Sequence, residues 1–497
     1  MNNIIKSMYR NIEDKEQIIA QSVKMGSKLN VDTLKSKDII SFSNYLYEKN
    51  KIYNYNKKIG ILMNNNLGFV NSFYSLVFNN KIVVAINTKV SLDELNYIIE
   101  TNNIDLIITE SEFEKILNKS NVKYSINYYN VNLNEYSDDF KLEKLLPDFE
   151  DIMLISYTSG TSGKFSKPVE TTFKNVSFVS EEYNKVYKME KNYRCITVLP
   201  LWHNYAMFAC LTNSIAAGSI LVIMKEWNLD LFLELNEKMK PEVFPGSPYM
   251  YIDIINNIQN LHKLDNLKVC DCGGDSLPIE CIRKFEKITG AIITEGYGLT
   301  ETTSLTHFNY SAAERKVGSL GKCVSDTECK ILDLNGNELP NNKWGLLWIK
   351  GPMVFKGYVN VKPEDTPNLT RDGWFNTNDV VKRDNDGFYF FAGRYTDLQM
   401  INDSDVQYRD LENKLYKFEG IKRVHVKCNK NEIGEFPYFD IIAELKKGYI
   451  IEDLYDYINL NLKDFVINDV KIIDKLPITG TGKIKRNKIN ELLNTKK

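Results

Sequence analysis

The chain has no long uncharged apolar run, and its first residues, Met1-Asn-Asn-Ile-Ile-Lys6, lack the apolar core and small-residue cleavage pattern of a secretory leader. A cytoplasmic protein without membrane insertion is therefore expected. Net charge is also scarce: 63 basic against 65 acidic side chains leave −2, which gives no bulk field for nucleic acid or an anionic membrane. Eight scattered cysteines do not make the disulfide framework of a small secreted domain, and the close pair Cys270-Asp-Cys272 reads as buried strand residues. The four histidines, His203, His262, His307 and His425, are dispersed, so a structural zinc site is not expected. Internal repeats and low-complexity linkers are missing too.

What is there is 497 residues of ordinary globular composition, 43% hydrophobic and 26% charged, too long for one core. The pattern predicts a strand over 59–63, a helix over 68–78 and a strand over 81–86. Ser91-Leu-Asp-Glu94 then reads as a capping box opening a helix with Leu92, Leu95, Ile98 and Ile99 on one face, before a strand over 104–109. Strand and helix alternation implies a parallel sheet covered by helices. It resumes over 219–224, 267–272, the helix after Pro278 and 291–294, which implies a second α/β layer. Between Val317 and Arg394 short strands with hairpin signals at Asn335-Gly336 and Asp386-Gly387 predict a small antiparallel sheet or β-barrel. The last hundred residues carry their own alternation, enough for a small α+β domain.

Two lysine-bearing Gly/Thr loops punctuate this chain: Tyr157-Thr-Ser-Gly-Thr-Ser-Gly-Lys-Phe-Ser-Lys167 and Leu476-Pro-Ile-Thr-Gly-Thr-Gly-Lys-Ile-Lys-Arg486. The first offers backbone N–H groups, hydroxyls and lysines in one stretch, a composition suited to polyphosphate. It is not a Walker A loop, because only Thr161 and Ser162 separate Gly160 from Gly163 and Phe165 follows Lys164.

Between the loops come Pro200-Leu-Trp-His-Asn-Tyr205, Gly273-Gly-Asp-Ser-Leu-Pro278, Tyr297-Gly-Leu-Thr-Glu301, Gly373-Trp-Phe-Asn-Thr-Asn-Asp379 and Asp386-Gly-Phe-Tyr-Phe-Phe-Ala-Gly-Arg394-Tyr-Thr-Asp397. With the two loops at their ends, this order resembles the adenylate-forming superfamily of acyl-CoA synthetases, nonribosomal peptide synthetase adenylation domains, aryl-acid AMP ligases and firefly luciferase. The resemblance covers nearly the whole chain. It implies an α/β fold with a large N-terminal domain over 1–393, a hinge over 394–397, and a mobile C-terminal domain over 398–497. The large domain would hold two α/β layered subdomains and a small β-barrel.

The implied reaction activates a carboxylic acid with ATP and Mg²⁺ to an acyl-AMP, releases pyrophosphate, and transfers the acyl group to a phosphopantetheine thiol, that of CoA or of a carrier protein. A carboxylate is already nucleophilic at pH 7, so the first step calls for charge management rather than a general base. By the resemblance, Thr158, Ser159, Gly160, Thr161, Ser162, Gly163 and Lys167 hold the β- and γ-phosphates. Thr300 reaches the α-phosphate, and Glu301 is the Mg²⁺ ligand. Tyr297 stacks on adenine with Gly273 and Gly274 opposite, Asp379 accepts the ribose hydroxyls, and Arg394 contacts ribose or phosphate. Lys483 is brought in by the C-terminal domain for adenylation.

His203 falls beside the acyl pocket, with Asn204, Tyr205, Ser247, Tyr249, Gly298 and His307 as further pocket residues. No carboxylate lies between Trp202 and Ala216 to pair with an α-ammonium group, which disfavours an amino acid. His203-Asn-Tyr205 is similar to aryl-acid AMP ligases, so an aryl or hydroxyaryl acid leads and a short or medium fatty acyl chain follows. Asn402-Asp403 stands where the family has a glycine pair, and Thr396 and Tyr408 are further departures. These favour a carrier-protein acceptor over free CoA. An ADP-forming NTPase or kinase and a non-catalytic nucleotide- or carrier-binding relative are the competing classes.

Overall fold

The structure, a computed structural model, describes residues 3–24, 29–139, 148–158, 165–257, 264–310, 313–395, 407–429, 437–479 and 484–494. Among these residues a first sheet has seven strands in the order Gly357–Tyr358, Pro168–Thr172, Ile152–Tyr157, Ile82–Ala85, Lys58–Leu62, Leu106–Thr109 and Tyr124–Asn127. Its middle is parallel and its Pro168–Thr172 edge antiparallel. Such strands are covered on both faces and so read as unbroken apolar runs, as Ile82–Ala85 does with every residue buried. A second sheet has nine strands, with Ile293–Tyr297, Val269–Cys272 and Val243–Gly246 side by side and parallel. His307–Phe308 and Lys322–Cys323 extend it as an antiparallel edge.

The Leu67–Phe78 helix touches strands of both sheets, which is why Gly68 to Phe78 are all buried and the segment is mostly apolar, with Asn71 and Ser75 hydrogen-bonded inside it. Asn66 caps it, its Oδ1 accepting from the Phe69 N–H at 2.9 Å. The predicted capping box at Ser91 is only half formed. Ser91 Oγ accepts from the Glu94 N–H at 3.2 Å, but the Glu94 carboxylate accepts from Ser166 Oγ at 3.1 Å instead of returning to the cap. A tertiary partner from the lysine loop has outcompeted the local one.

The region after Val317 forms a four-stranded antiparallel sheet, Glu328–Leu332, Gly345–Lys350, Phe375–Arg383 and Tyr389–Arg394, in that order. This corrects the expected barrel. Its two outer strands do not pair with each other, and four strands are too few to close around a filled interior. One face instead buries Leu346, Val380 and Ala392 beneath Trp344, Trp348 and Tyr408. Cys270 and Cys272 are buried strand residues as expected, and no described helix is long and apolar enough to cross a membrane.

The smaller C-terminal domain pairs Ile421–Asn429, Tyr438–Leu445 and Val466–Ile472, with the Gln407–Leu415 and Ile451–Asn461 helices. It docks on the Pro248–Asn256 and Ile279–Thr289 helices. Lys284 Nζ donates to the Tyr416 carbonyl at 2.8 Å, Asn256 Nδ2 to the Lys422 carbonyl at 3.3 Å, and the Ile279 N–H to Asn413 Oδ1 at 2.8 Å. Arg423, 8% exposed, pairs with Asp253 across this boundary and lies 3.4 Å from the Glu444 carboxylate within its own domain. Glu444 is 1% exposed, and Lys422 Nζ at 3.5 Å is its other cation. Arg423→Ala would leave buried Glu444 with Lys422 as its one remaining cation and cut the contact to Asp253, so the C-terminal domain should lose about 3 kcal/mol. Calorimetry should show it as an earlier-melting transition for that domain.

Candidate active site

The segment Tyr297 to Glu301 leaves the end of a parallel strand and turns back, with the Thr306 N–H donating to the Tyr297 carbonyl at 2.8 Å and the Ser304 N–H to the Leu299 carbonyl at 2.9 Å. Glycine is obligatory at 298, because a Cβ there would lie 2.2 Å from the Ser304 carbonyl oxygen. The two ends of this segment gather different groups.

At the Tyr297 end, the phenol donates to Asp379 Oδ2 at 2.6 Å, and Arg394 Nε lies 3.6 Å from Asp379 Oδ1. Asp379 and Arg394 face each other across the register of neighbouring strands, so the sheet itself sets their spacing. Burial, with the Asp379 charge beside it, pushes the Tyr297 hydroxyl well above its ordinary pKa, so it keeps its proton and donates. A carboxylate accepts about four hydrogen bonds, so Asp379 retains capacity for further donors.

At the Glu301 end, Tyr358 Oη donates to Glu301 Oε1 at 2.9 Å, and Lys167 Nζ sits 5.3 Å from the centre of the Tyr358 ring. Lys167 and Glu301 thus meet at one tyrosine, the lysine over its ring and the carboxylate at its hydroxyl. The loop's ends are tied together: the Thr158 N–H donates to the Lys167 carbonyl and the Lys167 N–H to Thr158 Oγ1, both at 3.1 Å. Ser159, Gly160, Thr161, Ser162 and Gly163 lie outside the described residues, as do Thr396, Asn402, Asp403 and Lys483. On either side of Lys483, Ile478 and Ile484 bridge antiparallel and the Lys485 N–H donates to the Pro477 carbonyl at 2.8 Å.

Between the two ends, Asn204 Nδ2 donates to the Thr300 carbonyl at 3.3 Å. Asn204 is 3% exposed, and its Oδ1, like the buried Ser247 Oγ, has no hydrogen-bond partner among the described residues. His203 is half-buried, its Nδ1 accepting from the Tyr205 N–H at 3.3 Å. Tyr205 points beneath this layer: its hydroxyl donates to Asp271 Oδ2 at 2.8 Å, and its ring fills the space where a Gly273 Cβ would sit, 2.9 Å from Cζ. Gly273 is therefore explained by tyrosine packing from below, and Gly274 by its φ of +85°. Tyr249 is half-buried on the helix that Ser247 opens. His307 touches Tyr297, ring centres 5.7 Å apart, but its ring nitrogens are taken up by Thr306 and two thiols. That grouping corrects the expectation that histidines and cysteines stay dispersed.

Sequence reasoning missed Tyr358 and Asp271. Tyr358 lies in Phe355-Lys-Gly-Tyr358, and the only local signal is a Gly-Tyr pair ahead of the Gly373 motif. Asp271, fully buried between Cys270 and Cys272, accepts from both Tyr187 and Tyr205. Burial raises its pKa from the ordinary 3.8 to about 6, against the two phenols that lower it. Since the folded value is the higher one, the unfolded chain sheds this proton first. As pH rises from 3.8 through 6, the folded state loses about 3 kcal/mol through this group, and the loss is complete above 6. Asp271→Asn should remove this slope. Urea unfolding of wild type and variant at pH 4 and pH 7 should give stability differences that diverge by that amount.

The chain matches the family described as AMP-binding enzyme over residues 37–359. It is 31% identical over 375 residues to a long-chain-fatty-acid–CoA ligase of Bacillus subtilis, 72% of this chain and 66% of that one. It is 30% identical over 367 residues to a 4-coumarate–CoA ligase of Pinus taeda, 71% and 67% of the respective chains. The chain thus spans about two thirds of the length of these relatives. Its fold is similar to a crystal structure of an anthranilate CoA ligase in complex with anthranoyl-AMP, with a TM-score of 0.85 and 19% identity over 99% of this chain and 97% of the other. With most of its length matched, this chain belongs to the AMP-binding enzyme family.

Proposed function

We propose that this protein joins a carboxylic acid to a phosphopantetheine thiol through an acyl-adenylate. A carboxylate oxygen of the acid attacks the α-phosphorus of ATP, the bond to the β-phosphate breaks, and pyrophosphate leaves. The thiol sulfur then attacks the acyl carbon, AMP departs, and the thiol proton passes to solvent. The observation that carries this reading is the division of labour along residues 297–301. A ribose-type acceptor, Asp379, is held at one end, and a carboxylate and a lysine are gathered at the other. Lys167 and the loop it closes bind the polyphosphate, Thr300 the α-phosphate and Tyr297 the adenine.

Glu301 suits Mg²⁺, because it presents hard carboxylate oxygens and Mg²⁺ needs only one or two such ligands beside its waters and the phosphates. When bound, the ion supplies positive charge to the phosphate oxygens. Lys483, carried by the C-terminal domain, offsets the charge developing at the α-phosphate.

The substrate is a hydroxyaryl or aminoaryl acid. The unpartnered, buried Asn204 Oδ1 supports this, since a ring hydroxyl or amine satisfies it and a fatty chain leaves it desolvated. The named activities of the relatives are CoA ligations, which supports CoA as acceptor. The second reading, a carrier-protein phosphopantetheine, rests on Asn402-Asp403 in place of flexible glycines.

ATP–pyrophosphate exchange over a panel of acids tests the reading. Exchange should depend on an aryl acid with a ring donor, and ADP or acid-independent phosphate release would overturn it. Asn204→Leu should lower kcat/KM for that acid by roughly 10-fold or more, with a smaller change for the unsubstituted ring. Lys483→Ala should lose ~10²–10³ in exchange rate while still transferring a supplied acyl-AMP to the thiol.

A further inference from the structure

Three donors from separate strands converge behind the adenine side of the site. His307 Nε2 lies 3.5 Å from Cys323 Sγ and 3.7 Å from Cys329 Sγ, and the two sulfurs are 3.2 Å apart. His307 and Cys323 are cross-strand partners at the edge of the second sheet, while Cys329 belongs to the first strand of the small antiparallel sheet. We propose that His307, Cys323 and Cys329 bind a thiophilic divalent cation, Zn²⁺, that ties these two sheets together. The site is independent of the reaction proposed above.

The distances distinguish a metal from a disulfide. With Zn–S near 2.3 Å and Zn–N near 2.0–2.1 Å at tetrahedral angles, the N···S edges should be about 3.5–3.6 Å and the S···S edge about 3.8 Å. Both observed N···S edges fit, so the sulfurs need only separate by about half an ångström. A disulfide requires the same sulfurs to close to about 2.05 Å, more than an ångström of movement between strands of different sheets.

The histidine is already oriented as a ligand. Its Nδ1 lies 2.9 Å from Thr306 Oγ1, and that hydroxyl has a single proton, which it gives to the Tyr297 carbonyl at 3.1 Å. Thr306 Oγ1 is therefore the acceptor, Nδ1 carries the hydrogen, and the Nε2 lone pair faces the two sulfurs. A second hydrogen bond that fixes tautomer and ring plane is the usual support of a metal-bound histidine. Thr306 is itself held at both backbone ends, its N–H donating to the Tyr297 carbonyl and its carbonyl accepting from Val324.

The ring of Tyr389 packs against His307 as an outer support, centres 4.4 Å apart. His307 is fully buried, whereas both cysteines are half-buried, which leaves an entry path from their side. Binding would release the two thiol protons, and the fourth tetrahedral position falls to water. Two sulfurs and one imidazole exclude Mg²⁺ and Ca²⁺, which take oxygen ligands.

Elemental analysis of full-length protein purified without chelator should find close to one zinc per chain. Apo-protein titrated with Co²⁺ should develop a near-ultraviolet thiolate-to-cobalt band saturating at one equivalent. Cys329→Ser and His307→Asn should each weaken Co²⁺ binding on the order of 100-fold, while Cys428→Ser, a half-buried cysteine elsewhere, keeps the wild-type spectrum. Three results would overturn the proposal. One is zinc well under one ion per chain with no Co²⁺ band, and another is a band that survives Cys329→Ser. The third is a Cys323–Cys329 disulfide found by mass spectrometry in freshly isolated protein that takes up no metal.

Discussion

The site hangs on the absence of one atom, the β-carbon at position 298. The chain must reverse from the parallel strand ending at Tyr297 to the antiparallel strand at His307 within a few residues, and Thr303 and Ser304 both take positive φ values to do so. The backbone of residue 298 is then pressed against Ser304, in contact a methyl group would convert into overlap. From this turn the direction of every nearby polar side chain follows. Tyr297 faces the small antiparallel sheet and meets Asp379, and Glu301 faces the first sheet and meets Tyr358. A looser turn would leave these groups on one segment but without their partners.

The floor beneath the turn is built differently from its rim. Tyr187, Tyr205 and Tyr251 bring three phenol groups to Asp271, two to its carboxylate and one to its carbonyl. Burial makes the Asp271 carboxylate costly, and the two phenols at its oxygens offset only part of that cost, so its pKa stays raised, at about 6. At the rim, Asp379 is also buried, while Glu301 and Arg394 are half-buried.

Much of this organisation was legible in the chain. Apolar runs such as Ile82–Ala85 and the Ser91 cap mark strands and a helix start from local chemistry alone. The order of the motifs brought Tyr297, Asp379 and Arg394 under suspicion together, although each alone reads as a core tyrosine or surface charge. What was not legible depends on pairing across sheets. Glu94 abandons its cap for Ser166, 72 residues away, and no local pattern encodes that choice. Tyr358 matters only because the edge strand Gly357–Tyr358 joins Pro168–Thr172 and so reaches Glu301. His307 and Cys329 are 22 positions apart and on different sheets, so spacing rules for metal ligands pass over them. The predicted barrel failed for a related reason: hairpin turns report that strands pair, not whether the last returns to the first.

The docking of the C-terminal domain has a consequence for how the chain can vary. Lys284 and Asn256 recognise carbonyl groups of Tyr416 and Lys422, and Asn413 recognises the amide of Ile279. In each pair one side contributes only main chain, which every residue but proline supplies alike. These three bonds therefore do not depend on which side chains stand at 416, 422 and 279, although Lys422 is tied to Glu444 and Tyr416 to the Val424 amide inside their own domain. Arg423 with Asp253 is the exception, a contact that two side chains must keep together.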